Sequence, residues 1–150
     1  EASGVLLHNR GSGFRVEPGH PNCIAPMKRP LHTIIPAMLV QDGEPVMPFG
    51  VMGGHYQPMG QSWFLANHLD YGLDLQESLD LPRLFPREGE IQCEHGVPEA
   101  AMAGLAALGH RPVRWGKPHG GGQAIRIDRA RGVLIGASDP RKDGCAMGLS

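Results

Sequence analysis

Two apolar runs, Pro36-Ala37-Met38-Leu39-Val40-Gln41 and Pro45-Val46-Met47-Pro48-Phe49-Gly50-Val51, stand on either side of Asp42-Gly43-Glu44. Asp-Gly tolerates the positive φ of a tight turn, so this order predicts an antiparallel hairpin. Both runs are apolar almost throughout, the pattern of strands covered on both faces. The hairpin is therefore expected at the centre of a layered fold.

The remaining segments interleave helices and strands. Residues 4–7 read as a short buried strand, and residues 18–30 as an ordered loop rich in Pro, Asn and small side chains. Residues 58–71 fit an amphipathic helix, with Trp63, Phe64, Ala66 and Leu69 on its apolar side and Gly72 as its stop. Asp74 and Glu77 have the spacing of a capping box for a short helix that must end near Pro82. Residues 90–94 alternate like a half-buried strand. Residues 98–108 form an alanine-rich helix, with Pro98 near its first turn and Gly109 just past its end. Residues 123–128 and 133–138 predict a second hairpin. Its alternation sets Ala124 and Arg126 against Gln123, Ile125 and Ile127 without fixing which face is buried.

Composition excludes several classes. With 22 Gly and 14 Pro in 150 residues, long uninterrupted helices are not expected, whereas 41% hydrophobic residues suffice for one compact body. The 14 Lys and Arg are scattered and balanced by 15 Asp and Glu, which gives no footprint for nucleic acid. No segment has the roughly 18 apolar residues of a membrane span. Cys23, Cys93 and Cys145 lack paired spacing and read as separate thiols, and the eight His include no HExxH. Neither a metal nor a cofactor is expected. Met38, Met47, Met52 and Met59 read as core filler.

Gly53-Gly54, directly after an apolar run and before a helix-compatible segment, offers bare backbone N–H groups that could hold a developing negative charge. A plain strand-to-helix connection has the same spacing. His55 beside it could be a base, an anchor or a helix-end residue. His32 and Thr33 bring an imidazole and a hydroxyl to the start of the first hairpin strand, suited to a small carboxylate or amide. Ser138-Asp139-Pro140-Arg141-Lys142-Asp143-Gly144 could be a turn closed by an Asp139–Arg141 or Arg141–Asp143 ion pair, or a brace for an active-site wall. Gly120-Gly121-Gly122 could be a hinge or a close passage of backbone.

Taken in order, Gly4-Val5-Leu6-Leu7-His8-Asn9, Lys28-Arg29-Pro30-Leu31-His32-Thr33-Ile34-Ile35-Pro36, Gly50-Val51-Met52-Gly53-Gly54-His55-Tyr56-Gln57-Pro58, Asp80-Leu81-Pro82-Arg83 and Gly136-Ala137-Ser138-Asp139-Pro140-Arg141-Lys142-Asp143-Gly144 resemble the small subunit of the gamma-glutamyltranspeptidase family across nearly the whole chain. The resemblance implies an α+β fold, part of the αββα four-layer sandwich of N-terminal-nucleophile hydrolases. Residues 1–150 would be the C-terminal portion of a small subunit, one domain completed by a large subunit cut from the same precursor.

By the same resemblance the nucleophile is a threonine about three dozen residues upstream of Glu1, so these residues alone are expected to be inactive. Gly53 and Gly54 would form the oxyanion hole, and losing one such donor costs about 3–4 kcal/mol of transition-state stabilisation. Arg10, His32, Thr33 and His55 would contact substrate. His32 and Thr33 stand where glutamyl-transferring members carry two serines, Arg10 where they carry Gln, and Gly13 where they carry the Asp that meets the substrate amino group. The expectation is hydrolysis of a small carboxylated amide, oxamate-like for example. A gamma-glutamyl transferase or glutathione hydrolase is the alternative, as is an inactive binding subunit. A dimer of heterodimers is left open, with no nucleic-acid or membrane partner, and the cytoplasm is favoured over the periplasm.

Overall fold

The computed structural model describes Gly4, Val5 and residues 7–148 of the chain. Its contacts divide into two compact units, Glu1–Ile34 and Ile35–Ser150.

In the first unit, a 3-10 turn spans Arg10–Gly13. The loop over residues 18–30 is ordered by its own backbone: the Arg15 amide donates to Asn22 O at 2.9 Å and the Ile24 amide to Arg15 O at 2.8 Å. The expected strand at residues 4–7 is not formed at Gly4, Val5 or Leu7, which are exposed and irregular, while Leu6 lies outside the described residues. An apolar run becomes a strand only where a sheet edge receives it.

In the second unit, β1 (Ala37–Gln41) and β2 (Glu44–Met52) form the expected hairpin, with Asp42 at φ 53° and Gly43 at φ 82°. Strands β3 (Leu84–Arg87), β4 (Glu90–Cys93) and β5 (Pro112–Arg114) make a three-stranded sheet. Strands β6 (Gly121–Asp128) and β7 (Val133–Ser138) complete a four-stranded antiparallel sheet of order β1-β2-β6-β7. The register pairs Ala37 with Phe49, Phe49 with Ala124, and Ala124 with Ala137, so these four side chains share a face.

That face is closed by α1 (Gln57–Leu65) and α2 (Leu75–Asp80). Met47, Phe49, Phe64, Leu75, Leu79, Ala124 and Ala137 form one buried cluster, with the Phe49 and Phe64 rings 5.6 Å apart. Removing these side chains from water is the main stabilisation of the unit. The opposite face is open, with Met38 50% and Leu134 69% exposed and Met52 and Ile125 also in water. The expectation that both hairpin strands are covered on both faces therefore fails within this chain. Met47 alone of the four singled-out methionines is fully buried.

The Asp74–Glu77 capping box is present in both directions, at 2.8 and 3.1 Å. Beyond α1 the chain widens into a π-helical turn over Ala66–Asp70, which shifts the inward face by one residue. Asn67 is buried there, while Leu69, expected on the apolar side, is 52% exposed. The alanine-rich α3 (Glu99–Ala107) buries no residue and links β4 to its parallel neighbour β5. Together, two sheets with interspersed helices give the mixed α and β arrangement expected of an αββα hydrolase.

Candidate active site

Strand β2 ends at Met52, and the chain turns at once through Gly53 (φ 138°) into a 3-10 turn, Gly54–Tyr56, that leads into α1. A side chain is excluded at Gly53 twice over, by its φ and because a Cβ there would stand 2.8 Å from Gly120 Cα. As cap and first residue of the turn, the Gly53 and Gly54 amides have no acceptor inside it. Both glycines are exposed. Two adjacent exposed glycines whose amides lack acceptors in the turn can offer N–H groups to a developing negative charge.

The turn is anchored by Tyr56, whose amide donates to Gly53 O at 3.1 Å and whose ring is buried. That ring stacks on His119 at 5.4 Å and meets the Phe85 ring edge-on at 5.4 Å. Burial pushes the Tyr56 phenol up to about 12 against the opposing charge of Arg83, and burial pushes the His119 imidazole down. Neither ring carries a charge near neutral pH. Gly53, Tyr56, Phe85, Trp115 and His119 line a cleft of about 230 Å³ with Lys142 at its edge. His55 is exposed on the same turn.

Behind the turn lies a buried charge network. Arg83 and Asp139 form an ion pair at 2.5 Å with side chains 2% and 0% exposed. Arg141 grips Glu94 with two parallel bonds, Nε to Oε1 at 3.0 Å and Nη2 to Oε2 at 2.7 Å, and also meets Asp139 at 3.3 Å. Both guanidinium groups cap the end of α2, Arg141 donating to Leu79 O and Leu81 O and Arg83 to Leu79 O. Cations at a helix C-terminus satisfy its orphan carbonyls and complement its dipole.

Burial alone would push the Asp139 carboxyl up, but the Arg83 charge, followed by the Gly122 and Arg141 amides, holds it below the usual carboxylate range. Glu94 behaves alike, burial being outweighed by the Arg141 hydrogen bonds and the His119 and Arg83 amides. Burial likewise opposes the charge of Arg141, yet its bonds to Glu94 leave it raised. The Asp139–Arg141 pair is thus formed as the sequence suggested. Asp139 also caps the 3-10 turn Pro140–Lys142.

In the first unit, Arg10 Nη1 donates to Thr33 Oγ1, and the Arg10 amide donates to His8 Nδ1 at 3.1 Å. Two of the four residues assigned to substrate thus meet although 23 positions apart. His32 is exposed. Arg83, Glu94 and His119 were not singled out as individual groups by sequence reasoning. Asp80-Leu81-Pro82-Arg83 does stand among the motifs, but a charge paired with residues far along the chain leaves no local pattern. The glycine run at 120–122 proves to be a close passage of backbone.

The gamma-glutamyltranspeptidase family model matches residues 1–149. This chain belongs to the gamma-glutamyltranspeptidase family. Among its relatives, the glutathione hydrolase-like YwrD proenzyme of Bacillus subtilis is 35% identical, over 98% of this chain and 30% of the relative. The oxamate amidohydrolase proenzyme of Klebsiella pneumoniae is 34% identical, over 97% and 29%. Among solved structures, the gamma-glutamyltranspeptidase from Pseudomonas nitroreducens complexed with L-DON superposes with a TM-score of 0.81 at 26% identity, over 100% of this chain and 84% of that one. The chain therefore spans about a third of the length of the curated relatives it matches.

Proposed function

We propose that the chain is the main body of the small subunit of an N-terminal-nucleophile amidohydrolase that cleaves a small carboxylated amide. The observation that carries this reading is the Gly53-Gly54 turn, two exposed glycines whose amides have no acceptors in their own turn, at the end of a buried strand. A threonine hydroxyl upstream of this chain attacks the amide carbonyl, and the two amides hold the oxygen as it gains charge. The amine departs with a proton, and water then releases the acid from the acyl-enzyme.

A precursor cut in two is supported by two contrasts. The curated relatives are named proenzymes and are three to four times longer than this chain, whereas the solved Pseudomonas nitroreducens chain is covered to 84%. The second is the open apolar sheet face of Met38, Met52, Ile125 and Leu134, which calls for a covering layer. We assign that cover to the large subunit.

For the substrate, Arg10 supplies a cation and Thr33 a hydroxyl, with His32 as a further contact carried over from the family pattern and His55 as another from its place beside the glycine pair. Gly13 supplies no carboxylate for a substrate amino group. A guanidinium favours an anion, and without an opposing acid an ammonium gains nothing. An oxamate-like amide fits this set, and one relative is named for that activity. The test is an amide panel with the full-length protein, comparing gamma-glutamyl, glutaryl and α-keto-acid amides with and without an acceptor amine. Hydrolysis of the carboxylated amides with at most a small preference for gamma-glutamyl over glutaryl is expected. A strong gamma-glutamyl preference would overturn the substrate assignment, product transferred to the acceptor would favour a transferase, and no turnover in a self-cleaved protein would favour an inactive subunit.

A further inference from the structure

The two glycine amides are supported differently from behind. A Cβ on Gly54 would meet nothing within 4 Å. Gly53, by contrast, is back to back with Gly120: a Cβ on Gly120 would stand 2.4 Å from Met52 O and 2.8 Å from Tyr56 Cδ1. Gly120 itself has φ 62°, which an L side chain rarely adopts. The Met52–Gly53 peptide thus rests on a bare backbone surface, just past the last registered pair of β2 and β6, Met52 with Gly121.

That surface is fixed on both flanks. His119 O accepts from Arg83 Nη1 at 2.7 Å, the His119 amide donates to Glu94 Oε1 at 2.8 Å, and the Gly122 amide donates to Asp139 Oδ2 at 2.8 Å. The Asp139 amide returns a bond to Gly122 O at 3.0 Å. Three charged side chains, all buried, therefore spend hydrogen bonds on the backbone that brackets Gly120. Away from water such bonds are costly to distort, because each group displaced loses a partner that solvent does not replace.

We infer that Gly120, clamped through its neighbours by Arg83, Glu94 and Asp139, sets the position of the Gly53 amide, so that these four are positioning residues for charge stabilisation there. The inference rests on the proposed role of Gly53 as an oxyanion donor. A donor displaced by a fraction of an ångström still lets substrate bind but meets the charged oxygen poorly, so kcat carries the effect.

The experiment compares the full-length protein with Gly120→Ala and Asp139→Asn, reading kcat and KM on the amide that the unaltered protein hydrolyses best, and amide hydrogen exchange over residues 49–56 and 117–123. Gly120→Ala is expected to lower kcat about 10- to 100-fold with KM moved less than about threefold, and both variants to speed exchange over 49–56 as well as 117–123. If Asp139→Asn does not fold, Gly120→Ala decides, since it leaves all the charges paired. A folded Gly120→Ala with kcat within twofold of the parent, or exchange altered over 117–123 alone, would overturn the inference. A parent that hydrolyses none of the amides while exchange over the two segments stays coupled would sink the hydrolase reading and with it the charge-stabilising role, leaving only a mechanical tie between Gly120 and Gly53.

Discussion

The two faces of the four-stranded sheet share one backbone and differ in everything else. One is closed by α1 and α2 and holds the Phe49–Phe64 cluster; the other carries Met38, Met52, Ile125 and Leu134 in water. The strands that supply both faces are nearly equally apolar, so composition does not separate them. What separates them is which face this chain's own helices can reach. In layered folds an apolar sheet face is where a further layer packs.

Leu134→Asp should break the contrast most severely. If the large subunit covers the open face, the substitution buries a charge without a partner, costs several kcal/mol and prevents the two subunits from copurifying. Copurification at parental yield would mean that this face stays wet. On the closed face, Phe64→Ala should cost about 3–5 kcal/mol in denaturant unfolding of the full-length protein; a loss below about 1 kcal/mol would deny that face its role as the core.

Asp139→Asn, in the buried charge network, should also destabilise by about 3–5 kcal/mol, because Arg83 keeps its charge and loses its partner. The pH dependence gives the sign. The folded-state carboxyls of Asp139 and Glu94 lie below their ordinary values, so their stabilisation is present above the unfolded carboxylate range of about 4 and is lost as pH falls through the lower folded values. Stability of the parent should therefore fall on acidification, and less steeply in Asp139→Asn; parallel pH profiles would contradict the pairing. Asp74→Ala, which removes the α2 cap, should cost about 1 kcal/mol, and an unchanged unfolding midpoint would show that packing alone holds that helix.

Local signals in the sequence located the pieces that local chemistry fixes. The Asp42-Gly43 hairpin, the Asp74–Glu77 box, the α3 stop at Gly109 and the second hairpin all appear where turn and cap residues place them. Strands β3 and β5 were not legible, since Pro86 sits within one and Pro112 opens the other, and the turn from β3 to β4 uses Glu88 at φ 52° rather than Asn or Asp. The π-helical turn shifted Leu69 outward against its period. At the site, the glycine pair was visible, and the Arg10–Thr33 contact joins two residues that the family pattern had singled out separately. The clamp was legible only at Asp139, in the turn read as a possible brace for an active-site wall; Arg83 and Glu94 owe their roles to burial against backbone far away in sequence.

The sheet order β1-β2-β6-β7 also has a consequence for how the protein comes to be made. Each hairpin needs only its own turn and can close within microseconds of synthesis. The central seam, Phe49 against Ala124, joins the two hairpins across every helix and strand between them and must await them all. During translation the inner edge of β2 therefore stands bare until β6 has left the ribosome, and strand pairing across so long a stretch of chain is the kind that forms slowly and leaves edges open to aggregation in the meantime.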